Sequence, residues 1–227
     1  MCGRFALTLP PESVRRLFGF AERPNFPPRY NIAPTQPIAI VRGENAERHF
    51  ALARWGLIPS WVKDLSRFPL LINARAETVA GKPAFRAAMR HCRCLIPADG
   101  FYEWQKAEKG AKRPYLIRPA GGGLMGFAGL WESWMDGRGN EMETAAIITT
   151  AANRTMAPIH DRMPAIIAPG DFSAWLDNAG VSSGEAAGLL RPAPGGLLEA
   201  VEISRAVNSV ANDDAAIQNP AAGPAKP

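Results

Sequence analysis

Cys2 follows directly on Met1. Removal of Met1 leaves a free α-amine and a thiol on neighbouring carbons, a 1,2-aminothiol. Ordinary pKa values of about 7.7–8.0 for the amine and about 8.5 for the thiol leave part of each unprotonated near neutrality. The amine condenses with an aldehyde to a Schiff base. The thiol can then close onto the imine carbon and form a five-membered thiazolidine, favoured because the closure is intramolecular. A side-chain thiol alone gives only a labile hemithioacetal. A cysteine at position 2 also fits an incidental residue on a frayed end, so the other reactive residues decide its meaning.

Gly3 permits close backbone approach and Arg4 carries a planar donor fork matched to phosphate. His160 lies between two prolines beside Asp161 and Arg162, a setting for a general acid or base. Glu103 sits among Phe101, Tyr102 and Trp104. Strand alternation puts Phe101 and Glu103 on one face, and desolvation there raises a carboxyl toward proton-transfer duty. Asn73 and Arg75 share a face if their stretch is extended, so one can bond a sugar while the other takes a phosphate. Trp61 falls on a predicted loop, where an indole can stack on an unpaired base, with Lys63 and Arg67 close in sequence.

His91, Cys92 and Cys94 raise a zinc reading, but a structural site needs four ligands and no second cysteine pair exists. Two small core residues on a strand is the reading preferred. No P-loop, G-x-G-x-x-G or H-E-x-x-H motif occurs. Neither a metal nor a cofactor is expected.

The elements that must position these residues are short, because 21 Gly and 21 Pro are spread through the chain. Residues 11–20 read as a helix opened by Pro11. Residues 23–37 hold five prolines and read as irregular. Strands are predicted at 37–41, 48–55, 92–96, 101–105, 115–118, 124–131, 144–150, 165–168 and 198–203, from β-branched and aromatic runs bounded by Gly or Pro. Further short helices are expected at 84–90, at 172–177 capped by Asp171, and after Ser182, which forms a capping box with Glu185. Trp55, Trp104, Trp131 and Trp175 are assigned to the core. The sum is an α+β domain over 1–217, β-rich, with curved antiparallel sheets and a few short helices. A frayed tail is expected over 218–227.

The 227 residues are 47% hydrophobic, which suits one domain with a real core. The net charge of +5 favours an acidic partner without requiring one. Three cysteines make no disulfide framework, and neither a membrane-spanning run nor a signal peptide is evident. A cytoplasmic monomer in a reducing compartment is expected, nucleoid-associated when bound to DNA.

Taken together these residues carry a resemblance. Met1-Cys2-Gly3-Arg4-Phe5 resembles the N-terminus of the SOS-response-associated peptidase (SRAP) family. Further similar blocks begin at Arg29, Trp55, Ile72, Cys94, Ile159 and Ser204, in the family's order, and span nearly the whole chain. The resemblance implies a single β-rich α+β domain with a basic groove for DNA. It implies that a mature N-terminal Cys2 crosslinks to abasic sites in single-stranded DNA through a thiazolidine, with lyase chemistry available through the Schiff base. By that likeness Asn73 orients the cysteine or opened sugar, Glu103 shuttles protons, and His160 helps open the deoxyribose. Arg4, Arg75 and Arg162 match phosphate contacts, and Trp61 matches a base-stacking wedge. Two alternatives stand beside it: a self-processing N-terminal-cysteine peptidase, and a non-covalent single-strand binder.

Overall fold

The computed structural model describes residues 2–106 and 110–221. Its strands form two sheets. In the smaller, β1 (Phe5–Leu7) lies between β2 (Arg29–Ile32) and β7 (Gly100–Gln105), followed outward by β8 (Arg113–Pro119) and β13 (Leu198–Glu202). The larger runs β11 (Arg162–Pro164), β10 (Glu141–Ala151), β4 (Glu47–Trp55), β3 (Pro37–Glu44), β6 (Arg93–Ala98), β9 (Met125–Met135) and β12 (Ile166–Ile167). A β9–β10 hairpin ladder closes this sheet on itself like a barrel, and β5 (Asn73–Arg75) attaches to β10.

The two faces of the smaller sheet are sorted by alternation. Phe5 and Phe101 point into the main core, where the Phe5 ring meets Trp55 edge-on at 5.2 Å. Ala6, Tyr102 and Leu116 face a second cluster, closed by Val207 and Ile217 from the C-terminal turns. Arg93 is wholly buried at the start of β6 and donates to carbonyls of Met89, Trp175, Asp177 and Val181. It thereby ties β6 to α2 (Arg86–His91) and α3 (Phe172–Leu176).

The nine predicted strands all occur, with shifted ends. The structure adds four short ones, β1, β2, β5 and β11. Each is only three or four residues long and forms because partners elsewhere in the chain supply its hydrogen bonds. β2 lies inside the proline-rich stretch expected to be irregular. The sheets are also not purely antiparallel, since β10 runs parallel to β4 and to β5. α1 (Pro11–Phe18) stops two residues early because Gly19 takes a left-handed φ of 73° and caps it onto Arg15. Asp171 makes no side-chain cap to α3, whereas the Ser182–Glu185 capping box opens α4 (Ser183–Ala187) as expected. Trp55 and Trp175 are buried, while Trp104 and Trp131 are only half-buried.

Part of the expected tail is held: Gln218 donates to the Tyr102 hydroxyl at 2.9 Å and Pro220 bridges to Ile203. Residues 222–227 of that tail, like Met1, lie outside the described residues. No helix among the described residues is long and apolar enough to cross a membrane.

Candidate active site

β1 brings the N-terminus to the seam between the two sheets. Phe5 pairs with Phe101, and the Tyr102 N–H donates to the Arg4 carbonyl at 3.0 Å. Continuing that antiparallel register toward the N-terminus sets Gly3 and Cys2 alongside Glu103 and Trp104. Cys2 is fully buried, with Sγ 3.9 Å from the Arg4 carbonyl oxygen. Burial pushes its thiol well up, and the charge of Glu103 adds to the rise. That environment favours the neutral thiol over the thiolate.

The larger sheet supplies the facing residue. β5 pairs in parallel with β10, Asn73 opposite Ile147. From there Asn73 Nδ2 donates to the Cys2 carbonyl at 2.8 Å. Asn73 Oδ1 is buried and accepts no hydrogen bond among the described residues. A buried acceptor without a donor is uncommon, and here it lies beside Cys2.

Glu103 is 3% exposed on β7. Burial raises its carboxyl above the ordinary range, while the N-terminal ammonium and His160 pull the other way. Burial thus favours its protonated form, while the two cations favour the carboxylate.

His160 sits at the end of a turn between β10 and β11. Asn153, itself buried, caps that turn: its Oδ1 accepts from Thr155 and Met156 N–H at 3.1 and 3.0 Å, and its Nδ2 donates to Ala193. The His160 N–H then donates to the Met156 carbonyl at 2.9 Å, and Gln105 of β7 grips the same turn through the Pro158 carbonyl at 2.7 Å. The Arg162 N–H lies 3.0 Å from His160 Nδ1, and an Asp161 oxygen lies 2.9 Å from the same atom. One nitrogen cannot accept from the first and donate to the second. With the proton on Nε2 alone the Arg162 amide is satisfied, and with both nitrogens protonated the Asp161 carboxylate is.

The four predicted catalytic residues thus meet at one seam, and the phosphate set does not behave as one group. Arg75 is exposed at the end of β5. Arg4 Nη1 is engaged by Asn31 Oδ1 at 2.7 Å and the Val207 carbonyl at 2.9 Å, with its guanidinium 5.9 Å from the Trp104 ring centre. Arg162 is clasped by both Glu77 oxygens at 2.6 and 3.0 Å and donates to the Thr149 carbonyl. Trp61 is 58% exposed on a loop, edge-on to Phe68. Trp134 anchors that loop from below by donating to the Val62 carbonyl at 2.6 Å.

Sequence reading singled out neither Trp134 nor Asn153. Trp134 is one more tryptophan on a strand, and nothing local marks Asn153 as the cap of the His160 turn. Of the residues weighed for zinc, Cys94 is buried, Cys92 half-buried and His91 exposed. Burial raises both thiols, Cys92 to about 11. Among the described residues no group of three or more His, Cys, Asp or Glu gathers as a metal site.

A closed β-sheet system thus sets the N-terminal strand against a buried carboxyl, an amide and an imidazole. The chain belongs to the SOS response associated peptidase (SRAP) family, whose model matches residues 1–210. It is 39% identical over 218 residues to abasic site processing protein YoaM of Bacillus subtilis, covering 95% of this chain and 96% of that protein. It is 34% identical to abasic site processing protein HMCES of Gallus gallus, over 94% of this chain and 76% of that one. Abasic site processing protein YedK of Escherichia coli is 32% identical, over 97% and 100% of the two chains. In structure it resembles a crystallised protein of Bacteroides thetaiotaomicron with a TM-score of 0.86 and 28% identity, covering 97% of this chain and all of that one.

Proposed function

We propose that this protein senses and shields abasic sites in single-stranded DNA by bonding covalently to them through Cys2. With Met1 removed, the Cys2 amine adds to the C1′ aldehyde of the opened sugar and loses water to give the Schiff base. The thiol then adds to the imine carbon, its proton passes to the nitrogen, and a thiazolidine closes. Glu103 takes the proton from the incoming amine and returns it to the departing hydroxyl. Asn73 Oδ1 offers an acceptor to the sugar, and His160 Nε2–H offers a donor to the ring oxygen as it opens. β-Elimination from the Schiff base would cut the strand, a lyase outcome that competes with ring closure.

One observation carries the reading: the second residue is held by Asn73 on its carbonyl and lies within the field of a buried Glu103. The names of the relatives, abasic site processing proteins, support it. Arg75 takes a phosphate, a role its exposure supports. Arg4 and Arg162 add positive charge nearby, and a phosphate at Arg162 would compete with Glu77. Trp61 stacks on a base that flanks the site, a role its exposure supports. The chain works as a monomer in this proposal and needs no metal.

The test is a denaturing gel of the protein with a single-stranded oligonucleotide carrying one abasic site. A shifted band is expected that needs the abasic site, Cys2 and a free N-terminal amine. Cys2→Ala is expected to leave only a Schiff base, visible after borohydride reduction. An unchanged heat-stable band with Cys2→Ala would remove the thiazolidine step. Equal, reversible binding of intact and abasic strands would leave the non-covalent binder.

A further inference from the structure

The segment that follows β5 carries a second basic surface, which the chemistry at Cys2 leaves unused. From Arg75 onward, turn hydrogen bonds wind the chain into α2: Thr78 N–H to Arg75 O at 3.0 Å, Lys82 N–H to Thr78 O at 3.0 Å and Arg86 N–H to Lys82 O at 2.9 Å. Arg86 and Arg90, four apart in α2, share one side of the helix, and Lys82 lies one turn of chain before them. All three are exposed. Among the described residues none of them has an acidic partner within 4.0 Å. Like charges four apart destabilise a helix, and this one is only six residues long, with no side-chain cap at its start. Such a conflict with local stability is what a binding surface leaves behind.

The surface is concave. Arg86, Arg90, His91 and Ser183 line a pocket of about 410 Å³ floored by Ala80 and Ala87. A second of about 580 Å³ adjoins it, sharing Arg90, His91 and Ser183. The carboxylate on its rim, Glu185, is already held by Ser182 N–H and Oγ at 2.9 and 2.7 Å. No Cys2-site residue lines either pocket. The walls offer guanidinium forks, a hydroxyl and the His91 imidazole, with no Phe, Tyr or Trp among the lining residues, so they suit a backbone more than its sequence.

We propose that this strip, between α2 and the start of α4, holds the phosphodiester backbone of the DNA segment running out from the abasic nucleotide. The inference rests on the DNA reading above. Its occupant follows from charge and from continuity, since one wound segment joins the strip to Arg75 beside Asn73.

The test compares wild-type protein with Arg86→Gln/Arg90→Gln in fluorescence anisotropy, using undamaged single strands of about 8 and about 30 nucleotides over a range of salt. For the long strand the variant is expected to bind about 10-fold more weakly at low salt, with a salt slope shallower by about 1.4, the counterions of two single-strand phosphate contacts. Binding of the short strand, and the covalent yield on a short abasic strand, should be unchanged. The melting temperature should hold or rise, because repulsion is relieved. An unaltered slope for the long strand overturns the proposal, as does an equal loss for both lengths. A strip that serves an acidic protein surface would give that unaltered slope. Failure of the wild type to form any adduct, with the slope difference intact, would remove the covalent reading and leave the strip standing.

Discussion

Glu103 holds a carboxyl where a charge is costly, and its pH behaviour follows from that. Its folded pKa lies above the ordinary 4.5, chiefly through burial. Between those two values the folded state keeps a proton that the unfolded chain releases, so the stability contributed falls as pH rises through the window and is level above it. Glutamine cannot ionise. The melting temperature of Glu103→Gln relative to wild type should therefore climb as pH rises from 4.5 and level off above the raised folded pKa, and a constant offset would contradict the buried-charge account. The same variant should form adduct about 100-fold more slowly, the usual scale of a lost acid–base group. Cys2 makes a second prediction, since its thiol is both buried and protonated. Iodoacetamide should label it on the order of 100-fold more slowly in the native than in the unfolded protein, because only an accessible thiolate reacts. Mass spectrometry of the N-terminal peptide reads this directly, and equal rates would mean an open, activated thiol.

Short elements position these groups, and the turn before β11 is the least obvious of them. Its hydrogen bonds converge on Asn153, whose two amide ends hold the turn and the segment at Ala193. Asn153→Ala should cost about 1–2 kcal/mol, as lost caps do, and slow adduct formation by letting His160 drift. Asn153→Asp keeps the acceptor and should restore most of the rate. A stability loss with full activity would make the residue purely structural. The loop that displays Trp61 depends likewise on Trp134, whose indole holds the Val62 carbonyl and packs with Ile58 and Val62.

At the scale of the molecule, the N-terminal strand and the C-terminal turns are clasped together. Asn31 is buried on β2, donates to the carbonyls of Val207, Ser209 and Asn212, and accepts from Arg4. Asp213 returns the contact by accepting from Tyr30 and Asn31 N–H. Asn31→Ala leaves several buried groups unpaired and should cost about 2–4 kcal/mol. It should also loosen β1, lowering both the melting temperature and the adduct rate. An undiminished rate at a temperature where the variant stays folded would show that the clasp does not hold Cys2 in place.

Much of this protein is decided locally, and that part was legible in the sequence. Gly and Pro punctuation with β-branched runs marked nine strands, the Ser182–Glu185 box marked α4, and alternation alone put Phe101 and Glu103 on one face. The residue types of Cys2, Asn73, Glu103 and His160 stated their possible chemistry, and the order of the blocks around them stated the family. What required tertiary structure was everything set by partners distant in sequence. β1, β2, β5 and β11 are too short to signal themselves and exist because neighbouring strands satisfy their backbone groups. The parallel pairing of β10 with β5 is a long-range event that no local pattern encodes. Arg4 and Arg162 look alike in sequence to Arg75, yet Asn31, Val207, Glu77 and Thr149 engage the first two while Arg75 stays open to solvent. An arginine's type fixes its charge, but only the folded chain decides how much of that charge its own neighbours consume.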